Sequence, residues 1–157
     1  MNQKNSKISA VVLTKNDEEK IKECLESLRW VDEVVLVDNE STDKTPQIAV
    51  NMGAQVVTER VQINFSKLRN IGKEKATGEF LLYVDSDERV TAELKEEILD
   101  RVSNFNPETS PVAFLVKKDL NNDGSFIISF SMNLHGLSRS IIAKRVYSAR
   151  RALVLFG

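Results

Sequence analysis

Apolar residues along this chain fall into short continuous runs, and between the runs they recur at helical spacing. Lys7 to Leu13 (K-I-S-A-V-V-L) is nearly unbroken and rich in β-branched residues, as expected of a strand covered on both faces. Thr14-Lys15-Asn16 then predicts a turn, with Asn16 as helix N-cap, Glu19 at the third helical position, and Asp17 and Glu18 placed to favour the helix dipole. Ile21, Cys24 (or Leu25) and Leu28 follow at helical spacing, so Cys24 is expected in the core and Trp30 at the helix end. Glu33 to Val37 predicts a second strand and Ala54 to Thr58 a third. Between them Lys44 to Met52 is helical by pattern, with Pro46 in the first turn and Gly53 terminating it. A helix over about Ser66 to Ala76 is stopped by Gly78. The run Phe80 to Val84 is the next strand, and Thr91 caps a helix that places Leu94, Ile98, Leu99 and Val102 on one face.

Strands alternating with helices in this order predict an α/β fold with a mostly parallel, doubly wound sheet. In such sheets ligands sit beyond the carboxyl ends of the strands, near the point where strand order reverses. Three polar clusters fall at those ends: Thr14-Lys15-Asn16, Asp38-Asn39, and Asp85-Ser86-Asp87. On an extended chain alternate residues point the same way, so Asp85 and Asp87 would face one ligand. Two carboxylates of this kind suit a hard divalent cation, which binds through one or two of them plus substrate phosphates and waters. A solvated acidic turn is the competing reading of the pair alone. Three polar strand ends in one chain weigh toward a ligand site.

Beyond Pro107, Val112 to Lys117 and Phe126 to Phe130 predict a hairpin around Asn121-Asn122-Asp123-Gly124. Residues Ser131 to Gly157 carry no clear period. The 157 residues suffice for one domain with a sizeable core, and 41% hydrophobic with 29% charged residues is ordinary for a soluble protein. A single cysteine excludes a disulfide framework and a cysteine-rich zinc site. No signal peptide or membrane anchor is expected, because Met1 to Lys7 is polar and no apolar run approaches the roughly 20 residues of a bilayer span. The net charge of -1 divides unevenly. From Lys117 onward seven basic residues (Lys117, Lys118, Arg139, Lys144, Arg145, Arg150, Arg151) face Asp119 and Asp123, a balance of +5 that leaves -6 elsewhere. Such a tail is either a solvated basic face or a contact for anionic phosphates or an anionic membrane surface. Nucleic acid is not expected as a partner, since no aromatics interleave a basic stripe.

The ordered set I-S-A-V-V-L-T-K-N-D-E-E, V-D-N-E-S-T-D-K-T, F-S-K-L-R-N and Y-V-D-S-D-E-R-V resembles family 2 glycosyltransferases of the GT-A fold. Within that family it is similar to the bacterial subgroup that builds lipopolysaccharide core and related glycans. The likeness covers about Ile8 to Val102. It implies a Rossmann-like, mostly parallel sheet flanked by helices, followed by a short C-terminal hairpin and basic tail. Residues 1–157 then form one domain, with 8–106 as the nucleotide-sugar-binding half and 107–157 as a short, incomplete acceptor half.

The activity implied is transfer of a sugar, with inversion, from a nucleotide diphosphate donor to a glycan or glycolipid acceptor, with Mg2+ or Mn2+ as cofactor. Carried over position by position, Thr14, Asn16 and Glu18 would contact the nucleotide, and Asp38 with Asn39 the nucleoside. Arg69 would face the nucleotide, Asp85 the ribose and metal waters, and Asp87 would be the direct metal ligand. The resemblance places such enzymes in the cytoplasm or at the inner face of the cytoplasmic membrane. Glu40 departs from the glycine common in relatives, no residue is assigned as general base, and Lys144-Arg145-Val146-Tyr147 faintly resembles a late acceptor-side segment. His135 is read as structural. The alternatives are a nucleotide-sugar-binding module without turnover and a phosphorylatable receiver. The receiver requires an acidic pair after the first strand, which Thr14-Lys15-Asn16 does not supply.

Overall fold

The computed structural model describes residues 7–60, 64–105, 113–120, 126–129 and 152–156. Its central strand, β1 (Ile8–Thr14), is buried at all seven positions. On one side it pairs in parallel with β2 (Glu33–Asp38), which in turn pairs with β3 (Gln55–Thr58). On the other side it pairs in parallel with β4 (Phe80–Asp85). The chain therefore lays down β1, β2 and β3 in one direction and returns past β1 to place β4, so strand order reverses between β1 and β4. That reversal is where an open α/β sheet offers a ligand crevice.

Burial on both faces explains the continuous apolar runs. Ile8, Ala10 and Val12 of β1, Leu36 of β2, and Phe80, Leu82 and Val84 of β4 face one core. That core is closed by α1 (Ile21–Ser27), α2 (Thr45–Asn51) and α4 (Ala92–Ser103), through Ile21, Cys24, Leu25, Ala49, Leu94 and Ile98. Val11, Leu13, Val35, Val37, Leu81 and Tyr83 face the other side, against Leu68 and Ile71 of α3 (Phe65–Lys75). Period-two alternation within each strand sends successive side chains to opposite layers. Phe105 meets Phe80 edge to face at 5.3 Å, sealing the first layer.

Capping sets several boundaries. Asn64 accepts from Lys67 N at the start of α3, and Thr91 accepts from Leu94 N at the start of α4, as its sequence predicts. Gly53, at φ 87, ends α2 in the left-handed region. Leu99 departs from expectation: it is exposed while Leu94 and Ile98 are buried, because α4 turns a narrower stripe inward than the sequence spacing allows. Trp30 follows α1 and returns its indole N–H to Ser27 O.

The predicted hairpin is present as β6 (Ala113–Leu120) antiparallel to β7 (Phe126–Ser129). A short β5 (Glu88–Arg89) pairs with β7, and β8 (Ala152–Phe156) lies antiparallel between β4 and β6. The sheet order is β3-β2-β1-β4-β8-β6-β7-β5. Asn121 to Gly124, His135 and Lys144 to Tyr147 lie outside the described residues.

Candidate functional site

Strand register brings the sequence-predicted residues together. Thr14 is the partner of Asp38 across β1 and β2, and Leu13 is the partner of Asp85 across β1 and β4. The backbone ladder continues one step past the strands, with Asn39 N donating to Thr14 O at 3.0 Å and Ser86 N donating to Leu13 O at 3.2 Å. Thr14, Asp38, Asn39, Asp85 and Ser86 thus form one row across the carboxyl edge of the sheet.

Asp38 is buried, and its carboxylate accepts the Ser41 N–H at 3.1 and 3.3 Å, which folds the chain back over the strand end. Glu40 in that fold has φ 54, the left-handed region that favours glycine, so a glutamate here makes a bend that glycine adopts at lower cost. Arg69, on α3, reaches Asp85 with Nη2 at 3.2 Å from Oδ1, and both side chains are partly open to solvent at 24% and 40%. Asp85 N donates to Glu88 Oε2 at 2.9 Å, placing a buried carboxylate directly beneath the acidic turn.

The expectation that Asp85 and Asp87 share a face of one extended strand is corrected here. β4 ends at Asp85 and the chain turns at Ser86-Asp87, so Asp85 is half-buried against Arg69 while Asp87 is exposed at the tip. A turn, not strand alternation, presents the pair.

A second correction concerns Asn16. It does not cap α1; the helix opens at Ile21, whose N–H and that of Lys20 are both taken by Asp17 O. Asn16 adopts φ 55, and its Oδ1 accepts the Thr42 N–H at 2.7 Å. Asparagine tolerates this conformation because its short amide bonds locally. Glu18 behaves similarly, with Oε2 accepting Lys44 N at 2.9 Å. Both residues therefore brace the loop after β1 against the loop after β2.

Asp43 and Thr45 complete that brace and were not singled out by sequence reading. Asp43 accepts from Thr45 N, Thr45 Oγ1 and Glu18 N. Partial desolvation pushes its pKa up, but these bonds outweigh it and hold the carboxyl below its usual range. Asp17 is the other residue missed: its Oδ2 accepts from Thr14 Oγ1 at 3.0 Å, Lys15 N at 3.1 Å and Ser86 Oγ at 2.5 Å. A carboxylate following a turn residue was the available signal, and the helix-dipole reading absorbed it. Cys24 lies beneath the site with its Sγ 3.7 Å from Asp85 O. Burial, reinforced by Asp87, Asp85 and Asp17 and opposed by Arg89, pushes its thiol up to about 12.

Among the described residues, no group of three or more His, Cys, Asp or Glu side chains is placed to hold a metal ion. Asp85 and Asp87 supply two carboxylates at this edge, a donor type that suits a hard cation sharing its coordination with phosphates and water.

A mostly parallel sheet with polar strand ends meeting at its reversal point, extended by an antiparallel segment, is the GT-A architecture. The family model for glycosyl transferase family 2 matches residues 9–139, and the chain belongs to that family. It is 36% identical over 93 residues to an uncharacterized glycosyltransferase of Rickettsia typhi, covering 59% of this chain and 32% of that protein. It is 34% identical over 129 residues to a poly(ribitol-phosphate) beta-N-acetylglucosaminyltransferase of Staphylococcus aureus, covering 75% of this chain and 22% of that protein. The chain thus spans about a third or less of the curated relatives it matches.

Among solved structures, it is similar to a mannosyltransferase from Pyrobaculum calidifontis in complex with GDP-Man and Mn2+. That likeness has a TM-score of 0.59 at 24% identity, over 69% of this chain and 34% of that one. It is also similar to glucosyl-3-phosphoglycerate synthase from Mycobacterium tuberculosis in complex with Mn2+, UDP and glucosyl-3-phosphoglycerate. There the TM-score is 0.59 at 18% identity, over 97% of this chain and 57% of that one. At these identities the two likenesses bear on the fold.

Proposed function

We propose that this chain carries the donor-binding half, residues 8–106, of a metal-dependent inverting glycosyltransferase that moves a sugar from a nucleotide diphosphate to a glycan or glycolipid. The observation that carries this reading is the convergence of Thr14, Asp38 and Asp85 at the sheet's reversal point, with Asp87 exposed beside them. Buried Asp38, with Asn39, is assigned to the nucleoside. Thr14 lines the nucleotide crevice, while Asn16 and Glu18 contribute to it by fixing the loop after β2. Arg69 offers positive charge beside the diphosphate and holds Asp85. Asp87, with Asp85, would hold Mg2+ or Mn2+, which when bound offsets the negative charge that develops on the departing diphosphate. The two similar structures named above were solved with Mn2+ and a nucleotide, which supports this choice of cofactor.

The acceptor is assigned by class only. The Staphylococcus aureus relative acts on a poly(ribitol-phosphate), and the resemblance to lipopolysaccharide-core enzymes points equally to a cell-envelope glycan. Envelope acceptors are commonly held at a membrane, and the basic residues after Lys117 would favour an anionic surface. No helix among the described residues is long and apolar enough to cross a membrane.

The test is calorimetric titration with a panel of nucleotide diphosphate sugars, with and without Mn2+, on the native chain and Asp87→Ala. Metal-dependent binding should weaken by at least about tenfold in the variant, the lower end of what metal sites lose even for outer partners. Binding that needs no metal and survives the substitution would overturn the role of Asp87. Binding without transfer to any envelope glycan would assign the chain to the non-transferring alternative.

A further inference from the structure

Asp87 stands at the tip of an exposed turn, yet the residue before it is buried and bonded on every side. Ser86 is 7% exposed and all three of its polar groups are engaged. Its N–H goes to Leu13 O at 3.2 Å, its hydroxyl to Asp17 Oδ2 at 2.5 Å, and its carbonyl accepts from Arg89 Nη1 at 3.2 Å. The first of these bonds continues the sheet, and Arg89 is tied to the start of α1 through Lys20 O and Glu23 Oε2. The Asp17 bond is different, because it reaches from the turn into the loop after β1. Asp17 is itself fixed there: the same Oδ2 accepts from Thr14 Oγ1 and Lys15 N, and its N–H donates to Thr45 Oγ1 at 2.8 Å. Thr45 Oγ1 then donates to Asp43 Oδ1 at 2.6 Å. An unbroken line of hydrogen bonds therefore crosses three strand ends, from Asp43 after β2, through Asp17 after β1, to Ser86 after β4.

We propose that Asp17 is a positioning residue: by gripping the Ser86 hydroxyl it sets where the Asp85 and Asp87 carboxylates stand for a divalent cation and diphosphate. This inference rests on the function proposed above. A carboxylate two residues along a turn can swing through several ångströms unless the intervening residue is anchored. Ser86 is that residue, and a charged acceptor makes its bond stronger than one between neutral groups. The same bond couples the cation site to the nucleotide loop, because Thr14 and Ser86 share one oxygen of Asp17.

The experiment measures binding of UDP, GDP, CDP and dTDP by calorimetry, with and without MnCl2, on the native chain, Ser86→Ala, Asp17→Ala, the double variant and Asp87→Ala. Ser86→Ala should weaken Mn2+-dependent binding by about tenfold while metal-free binding stays within about twofold. The double variant should be no weaker than Asp17→Ala, since both substitutions remove one shared bond. Asp17→Ala also loses Thr14 and Lys15; should it not fold, Ser86→Ala decides the question alone. A Ser86→Ala chain whose Mn2+-dependent affinity equals the native one, or whose metal-free affinity falls in the same proportion, overturns the inference. If Asp87→Ala is impaired in that case, the function proposed above stands without it. Absence of Mn2+-dependent binding of all four nucleotides to the native chain overturns both.

Discussion

Gly72 shows how one absent side chain sets the spacing of a layer. A Cβ built there would lie 2.2 Å from Val11 Cγ1 and 3.2 Å from Val37 Cγ2. Alanine would gain about 1 kcal/mol of helix propensity, but overpacking a buried contact costs about 1–3 kcal/mol. The backbone of α3 must retreat from β1 and β2, carrying Arg69 with it. Gly72→Ala is therefore expected to lower the urea midpoint at unchanged slope, and an unchanged or raised midpoint would count against this packing. Cys24 gives a second expectation at this scale. With its thiol pushed up to about 12 by burial, it stays protonated throughout the neutral range. Thiol-specific reagents at pH 8 should label it only as fast as the protein unfolds; rapid labelling of the native state would contradict the placement. Asp17 illustrates what single-sequence reading misses. Its partner Ser86 is 69 positions away, and no local pattern announces that meeting. The same holds for Asn16, whose left-handed backbone is set by Thr42 and Ser41 in another loop.

The strands and helices themselves were largely legible, for a physical reason. A sheet buried on both faces demands uninterrupted apolar runs, and β1, β2 and β4 supply them. Asn64 and Thr91 cap α3 and α4 through their own side chains, so those starts were set locally. What stayed hidden was the geometry at strand ends, as in the turn after Asp85, where tertiary bonds override extended alternation. The amino ends of the strands carry a network of their own. Glu33, opening β2, accepts from Ser9 Oγ of β1 at 2.5 Å and from Thr77 N at 2.8 Å, while Gly78 N donates to Ser9 Oγ. Lys7 Nζ also reaches the Thr77 hydroxyl. Partial burial pushes the Glu33 pKa up, but Ser9, Thr77 and Lys7 outweigh it and the net shift is downward. Because the folded value lies below the unfolded one, near 4.3 for glutamate, the contribution is complete above that value. It is lost as pH falls through the folded value. Denaturation midpoints between pH 6 and pH 3 should therefore fall more steeply for the native chain than for Glu33→Gln. Parallel profiles would remove Glu33 from the acid response.

At the scale of the whole molecule, the two ends of the sheet divide the labour. The amino edge is a closed set of bonds among Lys7, Ser9, Glu33 and Thr77, which holds strands together and leaves little for a ligand. The carboxyl edge keeps Asp87 exposed and Asp85 half-open, which leaves both accessible from solvent. Family membership was visible in the order of four sequence segments, and the fold agrees with it. Which acceptor within the implied glycan or glycolipid class was not visible, because residues at the strand ends say nothing about an acceptor surface.

One consequence follows from β8. It pairs with the outer flank of β4, the strand that delivers Asp85, and joins residues 72 to 76 positions apart. Such pairing, like that of β1 with β4, requires a long loop to close first. Until then one side of β4 presents bare amides and carbonyls. The strand that bears the first carboxylate of the acidic turn is thus finished by a segment lying 72 to 76 positions further along the chain.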